Sequence, residues 1–170
     1  MDHAWEMEDR DLTLLRRLAA DVRWSNVPIP EAHVAAIVAG AGMHVVVPMR
    51  LPIADPVRWT VAVTLMACGA GLAAWAVASA GEADVERESE LVTDGPYAIT
   101  RNPMYLGWSA GVLGLAVASR STWMLVAWAV AVRALDREIK AEESRLSARF
   151  GREYGAYRAR VPRYVRRFPD

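Results

Sequence analysis

Cysteine is almost missing from this chain of 170 residues, which contains Cys68 alone. A single cysteine excludes an internal disulfide framework and a metal site built from several thiolates. Because Cys68 lies within a long apolar run, we predict a buried and inert thiol there. Histidine is also scarce, and its three positions predict neither a Ser-His-Asp set nor a metal site: His3, His33 and His44.

The chain also lacks an excess of charge of either sign. Its 20 basic residues balance 20 acidic ones, so bulk charge does not indicate binding to nucleic acid. Neither a glycine-rich phosphate loop of the GxGxxG type nor a strand pattern is evident. The first residues, MDHAWEMEDRD, are polar and acidic, so a cleaved signal peptide is not expected. An enzyme with this inventory has to bind and orient a reactive cofactor, because it has no evident nucleophilic side chain.

Long stretches without charge are what the sequence does have. Residues 32–49, 59–80 and 102–119 contain no Asp, Glu, Lys or Arg, and residues 121–132 follow after a single arginine. A helix needs roughly 20 residues to cross the apolar core of a bilayer. We therefore predict an all-α, polytopic membrane protein with about four transmembrane helices. The last two would form a hairpin with short arms at 104–118 and 121–132, and the sequence leaves open whether this hairpin fully crosses the membrane.

The first 30 residues predict an amphipathic segment. Between residues 9 and 24, Leu12, Leu15, Leu18 and Val22 recur at helical spacing and form one apolar stripe. Such a helix either packs on the rest of the protein or lies flat among lipid headgroups. The predicted divisions of a single domain are this segment (1–30), two transmembrane helices (31–80), and a third part (81–170) with a polar loop, the hairpin and a charged C-terminal helix. The helical pattern of the last apolar run continues through residues 133–160, which predicts one extended helix there. His33, at the start of the first apolar run, is expected at the membrane interface.

Basic residues lie mostly on one side of the predicted topology. With four crossings, 17 of the 20 basic residues share a side with both termini and the 81–101 loop, whereas Arg50, Arg58 and Arg120 lie opposite. Cytoplasmic segments are enriched in arginine and lysine, so we predict a cytoplasmic-membrane protein with both termini and this loop in the cytoplasm. Three glycines have the small-residue spacing that lets membrane helices approach closely: Gly107, Gly111 and Gly114.

One stretch, DGPYAITRNPMYLGW at residues 94–108, joins the polar loop directly to an apolar helix. Asn102 is a good N-cap, and Pro103 suits the first helical position. Capping does not explain why Tyr97, Arg101 and Tyr105 gather around these two residues. The stretch is therefore a candidate functional site.

Two motifs at a fixed separation resemble a known family. LVTDGPYAITRNPMYLGW is followed about 35 residues later by EESRLSARFGREYGAYRARVPR. This combination resembles the isoprenylcysteine carboxyl methyltransferases and their phospholipid methyltransferase relatives, and it covers residues 90–164. The resemblance implies a membrane enzyme that uses S-adenosylmethionine. It also implies a lipophilic acceptor, such as an isoprenoid, a lipid or a sterol-like molecule, that enters from the bilayer.

The resemblance also implies a place for the cofactor, between the loop before the hairpin and the C-terminal helix. Leu91 and Val92 would line the pocket, and Glu142 would accept hydrogen bonds from the cofactor. The other implied cofactor-binding residues hold its polar parts, start the helix beneath it or close the site: Tyr97, Asn102, Pro103, Tyr105, Tyr154 and Tyr157.

Two positions depart from the family pattern. Asn102 stands where many relatives carry histidine, and because an amide does not titrate, a proton-transfer role is not expected there. Glu138 stands where prenylcysteine enzymes place an arginine for the substrate carboxylate, although the adjacent Arg137 could substitute. An amine or hydroxyl acceptor needs a base, which Glu138 or His44 could supply. The candidate catalytic residues are thus Glu138, Arg137 and His44, while His44 could instead simply bond a neighbouring helix.

Two other functions share part of this pattern. Sterol-reductase-like membrane enzymes carry a similar R-x-P-x-Y-x-G feature and bind NADPH, but the Glu142 and Glu143 pair favours a methyltransferase. A non-catalytic membrane scaffold could retain the hairpin without turnover. The sequence does not specify the acceptor or the oligomeric state.

Overall fold

The computed structural model describes residues 31–80 and 90–165, which form helices joined by short loops. In chain order these are α1 (Glu31–Val46), α2 (Asp55–Ala80), a 3-10 helix (Gly95–Ala98), α3 (Pro103–Ala118) and α4 (Thr122–Arg160). No strand occurs in these two ranges, apart from one isolated bridge between Arg50 and Ser121. The all-α prediction is confirmed there. The amphipathic helix predicted for residues 9–24 lies outside the described residues.

Among the described helices, α2 alone is both long and apolar enough to cross a membrane. It has 26 residues, and only 22% of its most apolar window is buried within the protein. The core helix of a soluble protein would bury far more of that surface. α1 and α3 are apolar but shorter, with 16 residues each. The number of membrane crossings beyond α2 therefore stays a prediction.

The outer face of α2 corrects one expectation. Cys68 is exposed rather than buried. Large apolar neighbours on the same helix are exposed as well, including Val63 and Trp75. A run without charge predicts an apolar environment, but it does not say whether neighbouring protein or lipid provides it.

Glycines bring α2 and α3 together, and these two helices form the most extensive contact between helices in the structure. A Cβ atom on Gly69 would lie 2.5 Å from the backbone oxygen of Gly107, and one on Gly107 would lie 2.7 Å from the oxygen of Gly69. Gly114 would meet Met66 in the same way. The predicted role of Gly107 and Gly114 in close approach is confirmed, whereas a Cβ on Gly111 would meet nothing within 4 Å.

The two arms of the predicted hairpin, α3 and α4, follow one another through the turn at residues 119–121. Their packing on each other is limited, because α3 packs mainly on α2 and α4 packs mainly on α1. Ser109 of α3 connects the layers: His33 Nε2 of α1 lies 2.9 Å from its Oγ, and Trp128 Nε1 of α4 donates to its carbonyl oxygen at 3.0 Å. His33, expected at the interface, is buried.

α4 continues well beyond the apolar run, as predicted. It extends over 39 residues, with non-helical backbone angles at Gly151, where φ is 50°. Its last residues lead into residues 161–164, which return to the loop before α3 and which we name the return segment. The cleft described next lies between this loop and the second half of α4.

Candidate functional site

The loop that precedes α3 is shaped by its glycine and proline. Gly95 has a φ of 58°, and a Cβ atom there would lie 2.1 Å from Ser79 Oγ at the end of α2. Pro96 is buried at the start of the 3-10 helix. The sequence DGPY therefore turns the chain tightly against α2 and presents Tyr97 beside the cleft.

The return segment is held to this loop by backbone carbonyls. Arg101 N donates to Pro162 O at 3.0 Å, and Thr100 Oγ1 donates to Arg163 O at 3.0 Å. Asn102 Nδ2 donates to the same Arg163 oxygen at 3.0 Å. Asn102 is the residue before α3, as predicted, but its side chain makes no capping hydrogen bond. Its amide instead secures the return segment.

The two adjacent glutamates of α4 have different partners. Glu142 accepts a hydrogen bond from Tyr105 Oη at 3.1 Å. Glu143 is buried and accepts from Arg163 through both oxygens, at 3.0 and 2.6 Å, and Arg101 Nη2 lies 2.8 Å from its Oε1. Glu142 therefore interacts with the start of α3, while Glu143 holds two arginines from different segments.

Together these elements enclose a cleft of about 590 Å³, open portion included. Tyr157 Oη closes part of one wall by donating to the Tyr97 carbonyl at 2.8 Å. Apolar and charged groups both line the cleft: Glu90, Leu91, Val92, Tyr97, Arg101, Asn102, Glu142, Glu143, Leu146, Tyr154 and Tyr157. Such a mixture suits a ligand with an aromatic portion and a charged portion.

The tyrosines of the cleft remain protonated donors at physiological pH. Burial, followed by the negative charge of Glu142, raises the pKa of Tyr97 to about 12. Burial also raises the pKa of Tyr154, with a further contribution from Glu143, and raises that of Tyr157. Desolvation disfavours the phenolate in each case.

Seven of the nine predicted cofactor-binding residues line this cleft: Leu91, Val92, Tyr97, Asn102, Glu142, Tyr154 and Tyr157. Tyr105 does not line it but is hydrogen-bonded to Glu142. Pro103 is buried at the start of α3. Their roles toward a cofactor remain predictions, but the structure brings residues from two distant motifs to one place.

The candidate catalytic residues do not lie together. Glu138 and Arg137 are exposed on α4, one turn before Glu142. His44 lies in the last turn of α1. The start of α4 contacts this end of α1, where Trp123 Nε1 donates to Val47 O at 2.8 Å. The cleft is at the opposite end, where α3 begins. The structure therefore does not bring His44 to the site.

Sequence reasoning assigned no role to Arg101 and Glu143, although both line the cleft. Each lies within a quoted motif, so the signal was present. What could not be read was that Arg163, 20 residues after Glu143, returns to pair with it.

The described helices and this cleft define a helical protein with one apolar helix long enough to span a membrane and, at one end, a cleft lined by apolar and charged groups. The phospholipid methyltransferase family model matches residues 57–153, more than half of the chain, so the chain belongs to that family. Over 78 residues it is 38% identical to protein-S-isoprenylcysteine O-methyltransferase B of Arabidopsis thaliana. That match covers 45% of this chain and 40% of the plant protein. The resemblance inferred from the two motifs is confirmed.

Proposed function

We propose that this protein transfers a methyl group from S-adenosylmethionine to a lipophilic acceptor dissolved in the bilayer. The observation that carries this proposal is the cleft in which the loop motif and the C-terminal motif meet. Membership of the phospholipid methyltransferase family supports the reaction type, and the plant relative is named for methylating an isoprenylcysteine.

The residues of the cleft suit this cofactor. Leu91, Val92 and Leu146 offer apolar surface for an aromatic base, and Glu142 offers a carboxylate acceptor. When bound, S-adenosylmethionine supplies a methyl group activated by a sulfonium, which an acceptor can take in one displacement. The protein then contributes chiefly by aligning the partners and excluding water.

An apolar groove gives the acceptor a route from the lipid. It has a volume of about 750 Å³ and is lined by side chains of α1, α2 and α3, including Ile37, Met66 and Trp108. Trp108 is three positions after Tyr105, so roughly one helical turn separates the groove from the Tyr105 and Glu142 pair. A chain in the groove and a cofactor in the cleft would meet near Tyr105.

Any proton released by an acceptor needs a group near this meeting point. Glu138 is exposed one turn before Glu142, and we propose it as the base for an amine or hydroxyl acceptor. Arg137 beside it would be used only by an acceptor that carries a carboxylate. His44 is too far along α1 to serve.

The membrane arrangement proposed here has four crossings, with the cleft on the cytoplasmic side. The exposed apolar surface of α2 and the bias of basic residues toward the side of the cleft support this arrangement. A water-soluble cofactor would then reach the cleft from the cytoplasm while the acceptor arrives within the bilayer.

Calorimetry on the full chain in detergent micelles tests the cofactor. We expect S-adenosylhomocysteine to bind and NADPH not to bind. Binding of NADPH alone would favour a reductase, and binding of neither would favour a scaffold. Membranes incubated with S-adenosylmethionine labelled in its methyl group should yield a labelled molecule in the organic extract. Binding without any labelled extract would contradict the lipophilic acceptor.

A further inference from the structure

One cluster at the wall of the cleft holds two arginines against a single carboxylate. Glu143 lies between the guanidinium groups of Arg101 and Arg163, so one carboxylate balances two arginines. Arg163 uses two nitrogens on Glu143, in a bidentate pair. Arg101 offers only Nη2 to the same carboxylate. This three-residue cluster therefore retains a net positive charge, and Arg101 is the arginine of the cluster that lines the cleft, together with Glu143.

Arg101 also has donors that remain unused within the described part of the chain. Its side chain is 8% exposed, and its Nε and Nη1 are buried without a hydrogen-bond partner. Tyr154 is 1% exposed, and its hydroxyl oxygen is likewise buried and unpartnered. Burying a donor without a partner costs free energy, and the cost is greater for a charged group than for a neutral one. Two such groups lining one cleft indicate that a ligand satisfies them.

We propose that Arg101 and Tyr154 form a carboxylate-binding subsite in this cleft. The unpartnered Nε and Nη1 of Arg101 each offer an N–H donor to a carboxylate oxygen, and a protonated tyrosine supplies a further donor. Glu142 is the nearby acidic group on the same cleft, and it suits the ammonium or hydroxyl groups of the same ligand. The subsite rests on the proposed function, because the ligand is taken to be one of the two reaction partners.

Two carboxylates could occupy the subsite. One belongs to the amino-acid part of S-adenosylmethionine, and the other belongs to an acceptor such as a prenylated cysteine. Four probes separate these sources. S-adenosylhomocysteine is compared with its decarboxylated analogue, which keeps the ammonium, and an S-prenylated N-acetylcysteine is compared with its carboxamide.

Binding of the adenosyl compounds to the wild-type chain comes first, since failure of both would contradict the proposed function itself. Once binding is established, Arg101→Gln is expected to weaken the affinity for S-adenosylhomocysteine about tenfold or more, as for the loss of other charge-assisted hydrogen bonds. The affinity for the decarboxylated analogue should change by less than about threefold, because that compound has no carboxylate to lose contact. The same selective loss for the prenylcysteine acid, against its carboxamide, would assign the subsite to the acceptor. Either selective loss supports the proposal.

Tyr154→Phe keeps the test informative if Arg101→Gln does not fold, because it removes one unpartnered oxygen and retains the ring. Tyr154→Phe should also weaken the affinity for the carboxylate-containing compound more than that for its partner without a carboxylate, but by a smaller factor than Arg101→Gln. Arg160→Gln is the matched control, since Arg160 does not line this cleft. Equal losses for each acid and its neutral partner would mean that Arg101 only supports the fold, and unchanged affinities throughout would mean that no carboxylate binds there. Both results overturn the subsite.

Discussion

Glu142 and Glu143 are neighbours in sequence with different surroundings. Successive helical residues point about 100° apart, so Glu142 meets Tyr105 while Glu143 meets Arg101 and Arg163. Glu143 is buried and fully engaged in ion pairs, whereas Glu142 lines the cleft beside the start of α3. A paired-glutamate motif therefore combines one residue that lines the cleft beside Tyr105 with one that holds the loop and the return segment.

The hydrogen bond between Tyr105 and Glu142 leads to the first prediction. Glu142→Ala should weaken S-adenosylhomocysteine binding about tenfold or more, because hydrogen bonds to charged groups contribute roughly 1.5–3 kcal/mol. Tyr105→Phe should also weaken it, since Glu142 loses its donor. In a double-mutant cycle by calorimetry, the combined loss should be smaller than the sum of the two, because the residues act together.

Tyr164→Phe is a suitable control for this cycle. Its hydroxyl donates to Asp136 at 2.9 Å and does not line the cleft, so it also removes a tyrosine hydroxyl from a carboxylate partner. The affinity of the Tyr164→Phe variant for S-adenosylhomocysteine should stay within about twofold of that of the wild type. A folded Glu142→Ala protein with unchanged affinity would disprove the assignment of the cofactor site.

At the residue level, the two motifs identified residues that line one cleft, including Leu91, Tyr97 and Glu142, whose roles toward a cofactor remain predictions. Prediction failed where a partner was distant in sequence. Asn102 was predicted to cap α3 with its side chain, but its amide donates to Arg163 O instead. Local sequence contains the capping preference, whereas the competing acceptor comes from a segment about 60 residues away.

At the scale of elements, the α2–α3 contact depends on glycine. Gly69→Ala should destabilise the protein by about 1–3 kcal/mol, the usual cost of overpacking, because the new methyl group would lie 2.5 Å from Gly107 O. Thermal unfolding in detergent micelles measures the effect. Gly71→Ala is the matched control two residues away, since a Cβ there meets nothing within 4 Å. Equal stability of the two variants would contradict the close approach.

The return segment gives a second prediction at this scale. Breaking the Glu143 and Arg163 pair by Arg163→Gln should destabilise the protein by about 1–3 kcal/mol, less than for a fully buried pair, since the Arg163 side chain is 32% exposed. In a cycle with Glu143→Gln, the double variant should lose less than the sum of the single losses. Arg160→Gln serves as the control. Strictly additive losses would mean that the pair does not hold the return segment.

The elements themselves were largely predictable. Apolar runs and proline positions predicted α1, α2 and α3, and the continuing helical pattern predicted the length of α4. The pairing of helices was not predictable in the same way. A short loop suggested that α3 and α4 pack as a hairpin, yet the glycines that permit close contact bring α2 against α3 and, at Gly40, α1 against α4. Complementary shape between distant segments decided the packing.

For the whole molecule, the distribution of charge and the exposed apolar surface should predict the same orientation in the membrane. The loop between α1 and α2 lies at one end, and the cleft with the second half of α4 lies at the other. Among the basic residues that the structure describes, only Arg50, Arg58 and Arg120 belong to the first end. Arg120 and Arg58 both pair with Asp55 there, which partly neutralises their charge. The positive-inside rule therefore predicts that the cleft faces the cytoplasm.

Cysteine labelling tests this orientation, because Cys68 is the single native cysteine. In a Cys68→Ser background, Pro52→Cys and Glu153→Cys place one thiol at an exposed position of each end. A membrane-impermeant maleimide should label Pro52→Cys in intact cells and Glu153→Cys only after lysis. The reverse pattern would invert the proposed topology.

In the wild type, Cys68 is exposed near the middle of α2, where lipid would exclude both water and the thiolate. It should therefore react only after detergent solubilisation, and labelling in intact membranes would show that α2 does not cross the bilayer.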